Sequence, residues 1–400
     1  MAVATLAENR LLTQTKPKTK RILELDALRA LAALNLLVFH FTYVYGGKYG
    51  FASPLGFAFP YGKYGVELFF ILSGFVNAMT LLRKRKPADF LVGRCIRILP
   101  SYWLVILLNL VLLSLVPMFG ETVTLDATAA NLTVMPGLFG FHNMEPVTWT
   151  LQIEMLFYGM LLLMLVTGIL DKPFVTMMAG MVVCLSGALG TQWMQANFPD
   201  WIWTGRAALV QDILILKWLP LFSMGILLNE IKSKRGRLWL NLVGILISAV
   251  VFHIIDLKDH NPLATALLFG LVALSAYGKL PPLRAKPLMF IGTISYSLYL
   301  FHDNLGSALI RQLENWGCGP LTSVMLATVF SIGLAAAITY WLEQPVTKWL
   351  NQKWADAKAW YAGRGRQELS SRAVTPLLIV QQEAAMLAKP GVSTEVANRP

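Results

Sequence analysis

Tyr64-Gly65-Val66-Glu67-Leu68-Phe69-Phe70-Ile71-Leu72-Ser73-Gly74-Phe75, continuing through Val76 to Leu82, is an apolar run whose one charged residue is Glu67. At about 1.5 Å rise per residue such a run, as a helix, matches a hydrocarbon layer about 30 Å thick. The surrounding chain repeats the pattern: charged residues are 14% of it against roughly 25% in an ordinary soluble domain, apolar residues are 56%, and mean hydropathy is +0.56. The apolar residues fall into long blocks, so the bilayer is the solvent for most of the chain. A window of membrane thickness predicts helices near 25–45, 64–82, 98–117, 148–170, 174–195, 206–229, 238–256, 262–278, 288–310 and 321–342. The expected fold is all-α, a polytopic bundle of about ten transmembrane helices.

Orientation follows from Lys and Arg, which cytoplasmic loops retain. Of the 34 such residues, 27 lie on the side of the N-terminus and only Lys48, Lys63, Arg206, Lys258 and Arg311 on the other, so both termini are expected to be cytoplasmic. The net charge of +12 is therefore read as topology; the basic residues lie between apolar blocks, not on a compact basic domain, and no nucleic-acid partner is expected. Lys16, Lys18, Lys20 and Arg21 precede an apolar stretch, but Asp26 and Arg29 within it and the lack of a clear cleavage site point to a retained first helix. Cys95, Cys184 and Cys318 lack the spacing of a zinc site or disulfide framework. The expected organisation is a basic cytoplasmic arm over 1–20, a transmembrane domain over 21–350 and a polar, mobile cytoplasmic tail over 351–400.

Charged side chains at membrane depth cost about 2.5–3.5 kcal/mol each on insertion scales, so those retained are functional candidates. The first predicted helix carries Arg29 and His40, whose spacing puts them about 20° apart around the helix and about 16 Å apart along it, on one face at two depths. Glu67 opens the second helix; Glu154 and Tyr158 form an i,i+4 pair near the start of the fourth; Ser295, Tyr299 and His302 form a polar stripe on the ninth. His40, Glu67, Glu154 and His302 are thus expected at a similar outer depth. A histidine beside a carboxylate is a general base whose tautomer and charged form the carboxylate supports, and His40 is the assigned base. The alternative is a structural hydrogen-bond network between helices.

On the cytoplasmic side Arg94-Cys95-Ile96-Arg97, ahead of Pro100, places two guanidiniums where they can share one phosphate; the alternative is topology alone, which suffices for Arg83-Lys84-Arg85-Lys86. Arg29 differs because it lies within a span, with Asp26 one turn earlier as a local partner. Glu343-Gln344-Pro345 closes the last span.

Taken in order, Leu25-Asp26-Ala27-Leu28-Arg29-Ala30 with His40, the Gly65–Phe75 run, Arg94-x-x-Arg97 with Pro100, Trp149-Thr150-Leu151-Gln152-Ile153-Glu154 with Phe157-Tyr158, Gly292 to His302, and Glu343-Gln344-Pro345 resemble the acyltransferase-3 family over about 21–350. These are bacterial membrane acyltransferases that modify sugars and some secondary metabolites. The resemblance implies a ten-helix fold in the bacterial cytoplasmic membrane, an acyl-CoA donor bound from the cytoplasm, with acetyl the default acyl group, and no metal. It also implies essential roles for Arg29 and His40 and a part for Arg94 and Arg97 in donor handling. The partner is a carbohydrate or glycolipid acceptor. Many members carry a fused extracytoplasmic hydrolase-like domain; this chain shows none, so a second transfer step would need a separate extracytoplasmic transferase or polysaccharide assembly proteins.

The expected mechanism brings the acyl arm past Arg29 toward His40, which deprotonates an acceptor hydroxyl while Glu67 or Glu154 stabilises the imidazolium; an acyl-histidine route is equally open. The rival classes are a proton-coupled transporter or exporter of a glycan precursor, in which the same buried groups relay protons, and a non-catalytic scaffold. Lipopolysaccharide, exopolysaccharide, lipo-oligosaccharide and macrolide acceptors all fit the sequence.

Overall fold

The computed structural model describes residues 22–84, 86–116, 124–201, 215–256 and 261–361. The arm 1–20, residues 206–214 of the sixth predicted span, the side chains of Arg83, Lys84 and Arg85, Lys258 and the tail from 362 lie outside the described residues. Every regular element among the described residues is helical. In chain order they are α1 (Leu23–Lys48), α2 (Tyr64–Lys84), α3 (Pro87–Leu115), the short α4 (Leu125–Leu132), α5 (Trp149–Val166), α6 (Pro173–Asn197), α7 (Leu219–Lys232), α8 (Leu238–Ile255), α9 (Pro262–Ala276), α10 (Lys286–Phe301), α11 (Asp303–Asn315) and α12 (Pro320–Ile338). The chain divides after Glu343. In the second unit residues 344–361 are helical, so the tail expected from 351 begins as ordered helix. Asn351 and Gln352 bond one turn away, to Thr347 O and Asp356 Oδ1.

Seven helices among the described residues are long and apolar enough to cross a membrane: those beginning at Leu23, Pro60, Pro87, Pro146, Pro173, Leu238 and Pro320. Their outward faces carry exposed Leu163, Val182, Leu246, Met325 and Val329. On a water-facing surface such contiguous apolar area would be a liability; against acyl chains it is ordinary. This is a multi-pass membrane protein. Helices α7, α9 and α10 are shorter and do not meet that length.

Three boundaries differ from expectation. Helix α3 begins at Pro87, with the proline at the first helical position, and runs through Pro100, so Arg94 and Arg97 sit on the helix and not ahead of it. Helix α1 carries a π-turn over His40–Val44, where the Tyr45 N–H bonds back five residues to His40 O. The ninth predicted span is two helices, α10 and α11, separated at His302. Residues beyond 302 include Asp303, Asn304, Arg311, Gln312, Glu314 and Asn315, too polar to continue a lipid-facing span. Instead α11 buries Asp303, Asn304, Gly306, Ser307, Ile310 and Leu313 against the protein.

The core is closed by backbone contact. A Cβ on Gly74 of α2 would lie 2.2 Å from Phe222 O, and one on Gly225 of α7 would lie 2.1 Å from Ile71 O. No side chain fits there, so the two helices meet through glycine as membrane helices commonly do. Phe222 stacks on Phe157 of α5 at 3.9 Å, filling the space beside the crossing. At a second crossing a Cβ on Gly292 of α10 would lie 2.4 Å from Asp26 O, which holds the segment bearing Arg29 close to α10. Gly225→Val is expected to destabilise by about 1–3 kcal/mol or more through overpacking. Gly159→Ala, in α5 with nothing within 4 Å of the added carbon, is expected to stabilise by about 0.5–1 kcal/mol. Thermal unfolding in one detergent checks both.

Candidate active site

Two cavities among the described residues gather the candidate residues. The first is lined by Arg29 of α1, Arg94 and Arg97 of α3, Glu154 and Tyr158 of α5, Ser73 and Asn77 of α2, and Tyr296 and Tyr299 of α10. Arg29 Nη1 is 3.3 Å from Asp26 Oδ1. The Arg94 guanidinium lies 5.3 Å from the ring centres of both Phe90 and Tyr158, a cation–π seat that aims it without neutralising it. Glu154 Oε1 accepts hydrogen bonds from Tyr158 Oη and, at 3.0 Å, from Ser73 Oγ, which in turn accepts from Asn77 Nδ2 at 2.9 Å. Three guanidiniums thus line a cavity whose lining holds one carboxylate, and that carboxylate is held by hydroxyls. The arrangement suits a phosphate-bearing anion.

The second cavity, about 500 Å³, is lined by His40, Glu67, Lys63, Trp149, Trp218 and Tyr299 among others. His302, at the break between α10 and α11, is 1% exposed. Its Nδ1 lies 2.8 Å from Tyr299 O and 3.1 Å from Leu298 O. A carbonyl only accepts, so Nδ1 carries hydrogen and Nε2 of the neutral ring is an acceptor. His40 Nδ1 is 2.8 Å from that Nε2, so it is the donor, and His40 Nε2 is left unprotonated. The network assigns the tautomer of both rings and leaves a basic nitrogen on the ring that lines the cavity.

Glu67, 1% exposed, also lines this cavity and accepts from Thr265 Oγ1 of α9 at 2.9 Å. The expectation that His40, Glu67, Glu154 and His302 share one outer site is corrected here. His40 and Glu67 line the second cavity and His302 bonds His40 from behind, whereas Glu154 lines the first with Arg29, Arg94 and Arg97. The reason is helical phase, not depth. Trp149 faces the second cavity, and five residues turn Glu154 about 140° away, onto the face of Thr150 and Tyr158. The side chain that His40 bonds is His302 and not a carboxylate.

Residues 22–340 match the family described as acyltransferase domain. The chain belongs to this family, acyltransferase-3. It is similar to the exopolysaccharide production protein ExoZ of Rhizobium meliloti (strain 1021), 27% identical over 316 residues that cover 74% of this chain and 92% of ExoZ. Nodulation protein 10 of Rhizobium leguminosarum bv. viciae is 27% identical over 357 residues, 80% of this chain and 92% of that protein. The peptidoglycan O-acetyltransferase OatA of Listeria monocytogenes serovar 1/2a (strain ATCC BAA-679 / EGD-e) is 24% identical over 330 residues, 72% of this chain but only 50% of OatA. No solved structure matches the chain.

Sequence reasoning missed the support behind His302. Asn304 Nδ2 donates to Asn109 Oδ1 at 2.6 Å and to Met144 O at 2.8 Å, and Asn109 Nδ2 donates to Glu145 Oε2 at 3.0 Å. This chain pins the helix break to α3 and to the loop before α5. The available signal was Asp303-Asn304 directly after His302, inside a supposed span. Glu145, in that loop and 0% exposed, is pushed well above the usual carboxylate range by burial and by the nearby Asp303 carboxylate, against the Asn109 hydrogen bond. A carboxyl raised in the folded state favours folding while protonated, and that contribution fades as pH rises above its ordinary value of about 4.5. Glu145→Gln is therefore expected to match the wild type near pH 5 and to exceed its thermal stability at pH 8, measured by melts across that range.

Proposed function

We propose that this protein is a membrane O-acyltransferase that moves an acyl group, acetyl in the first instance, from cytoplasmic acyl-CoA to a hydroxyl of a surface or exported carbohydrate. In this reading it sits in a bacterial cytoplasmic membrane with ten spans and both termini inside, as the charge asymmetry of its loops supports. One observation carries it. His40, whose Nδ1 bonds His302, lines a cavity that shares a wall, Val66 and Tyr299, with a cavity lined by three arginines. A phosphate-rich donor suits the arginines, and a hydroxyl needing deprotonation suits the histidine. The names of ExoZ and OatA, an exopolysaccharide production protein and a peptidoglycan O-acetyltransferase, favour a polymeric carbohydrate acceptor.

The acceptor hydroxyl gives its proton to His40 Nε2 as its oxygen attacks the thioester carbonyl carbon. The C–S bond then breaks, and the leaving thiolate takes the proton from the imidazolium. His302 orients His40 much as the acid orients the histidine in a Ser-His-Asp triad, but as a neutral acceptor. When His40 is charged its Nδ1–H bond to His302 becomes charge-assisted and strengthens. Glu67, Lys63 and Lys217 line the same cavity. Glu154 orients the hydroxyls facing the arginines and takes no part at His40.

In vesicles carrying the purified protein, acetyl-CoA is expected to be consumed in proportion to acetylated glycan. His40→Ala is expected to abolish this at normal protein level; solute uptake without thioester turnover would instead assign a transporter. Arg94→Ala is expected to raise the Michaelis constant for acetyl-CoA by about 10–100-fold, the value of a lost charge-assisted hydrogen bond. An unchanged constant removes the phosphate assignment.

A further inference from the structure

The wall between the two cavities contains a hydroxyl triangle. Tyr299 Oη is 2.7 Å from Thr150 Oγ1, Tyr299 Oη is 2.8 Å from Val147 O, and Thr150 Oγ1 is 3.0 Å from Val147 O. Two hydroxyl hydrogens serve these three contacts, so one contact always lacks a hydrogen. In one arrangement Thr150 donates to Tyr299 and Tyr299 donates to Val147 O; in the other the order of the hydroxyls is reversed. Val147 O keeps a donor whichever hydroxyl turns toward it, so the other hydrogen can turn to a new acceptor without orphaning the carbonyl. Such a device costs little to redirect.

Its position gives it something to redirect to. Tyr299 and Val66 line both cavities, while Thr150 lines the arginine cavity and Val147 the histidine cavity. The Tyr299 ring is braced edge-on by Phe69 at 5.8 Å and lies 6.0 Å from the ring of His302, which bonds His40. In the acyl-transfer reading a thioester carbonyl carried from the arginines toward His40 crosses the wall that Tyr299 lines. We propose, resting on the acyl-transfer reading above, that Thr150 and Tyr299 form the oxyanion-stabilising pair: Thr150 takes over the bond to Val147 O, and Tyr299 turns its hydrogen to the carbonyl oxygen of the thioester. As the acceptor oxygen bonds to the carbonyl carbon, the C=O π pair moves onto that oxygen and the hydroxyl proton moves to His40 Nε2. The Tyr299 hydrogen bond meets the charge where it develops. On collapse the pair returns, the C–S bond breaks and the thiolate takes the proton from His40. A donor aligned in advance, and released from its resting acceptor by a second hydroxyl, is the kind of group whose contribution grows in the transition state.

The test uses the full chain in lipid vesicles, with labelled acetyl-CoA and the glycan fraction of producing cells that lack the gene. Tyr299→Phe is expected to lower kcat about 100-fold while the Michaelis constant for acetyl-CoA stays within about twofold. Thr150→Val lowers kcat less, and Thr150→Ser restores it. A brace without a catalytic part would change protein level or donor affinity and leave kcat in place. Tyr299→Phe with wild-type kcat, or Thr150→Ser as impaired as Thr150→Val, overturns this inference alone. No acetyl transfer by the wild-type protein overturns the acyl-transfer reading, and this inference with it.

Discussion

The hydrogen bond between His40 Nδ1 and His302 Nε2, 2.8 Å long, joins two places where helices depart from regularity. His40 opens the π-turn of α1, and His302 is the break between α10 and α11. Neither irregularity survives in a bilayer unless the backbone groups it releases find partners inside the protein. Here they do. The Tyr299 and Leu298 carbonyls engage His302, and Asn304 engages Asn109 and Met144. The same carbonyls decide which ring nitrogens carry hydrogen, so the distortion of α10 and the basicity of His40 Nε2 have one cause.

Charge is distributed by the same logic. The arginine cavity keeps Glu154 occupied by Tyr158 and Ser73, which leaves the guanidiniums with one lining carboxylate among three cations. The histidine cavity holds Glu67 tied to Thr265. Glu154 and Glu67 are thus each held by hydroxyl partners. Glycine at the crossings of α2 with α7 and of α1 with α10 brings the backbones close enough for these side chains to meet.

Much of the bundle is legible in the chain because the bilayer imposes a simple rule of length and apolarity. The blocks beginning near 25, 64, 148, 174, 238 and 321 are helices where expected. The misread places are those where polarity was taken as a boundary. Arg94 and Arg97 look like loop residues ahead of Pro100, yet Pro87 starts α3 and the arginines line a cavity from a helix that tolerates an internal proline. Conversely, His302 looks like one more position on a stripe, although the polar residues after it belong to a separate helix that buries them.

By itself the sequence determined the solvent of the fold, its helical class, and the short inventory of ionisable groups too costly to keep in a membrane without purpose, Arg29, His40, Glu67, Glu154 and His302, with Arg94 and Arg97 as a candidate anion pair at its cytoplasmic edge. Which of these work together was decided only by tertiary structure. Periodicity places a residue on a face and at a depth, but the rotation of each helix about its own axis is set by packing against neighbours. That rotation turned Glu154 away from His40 and gave His40 a second histidine as its partner.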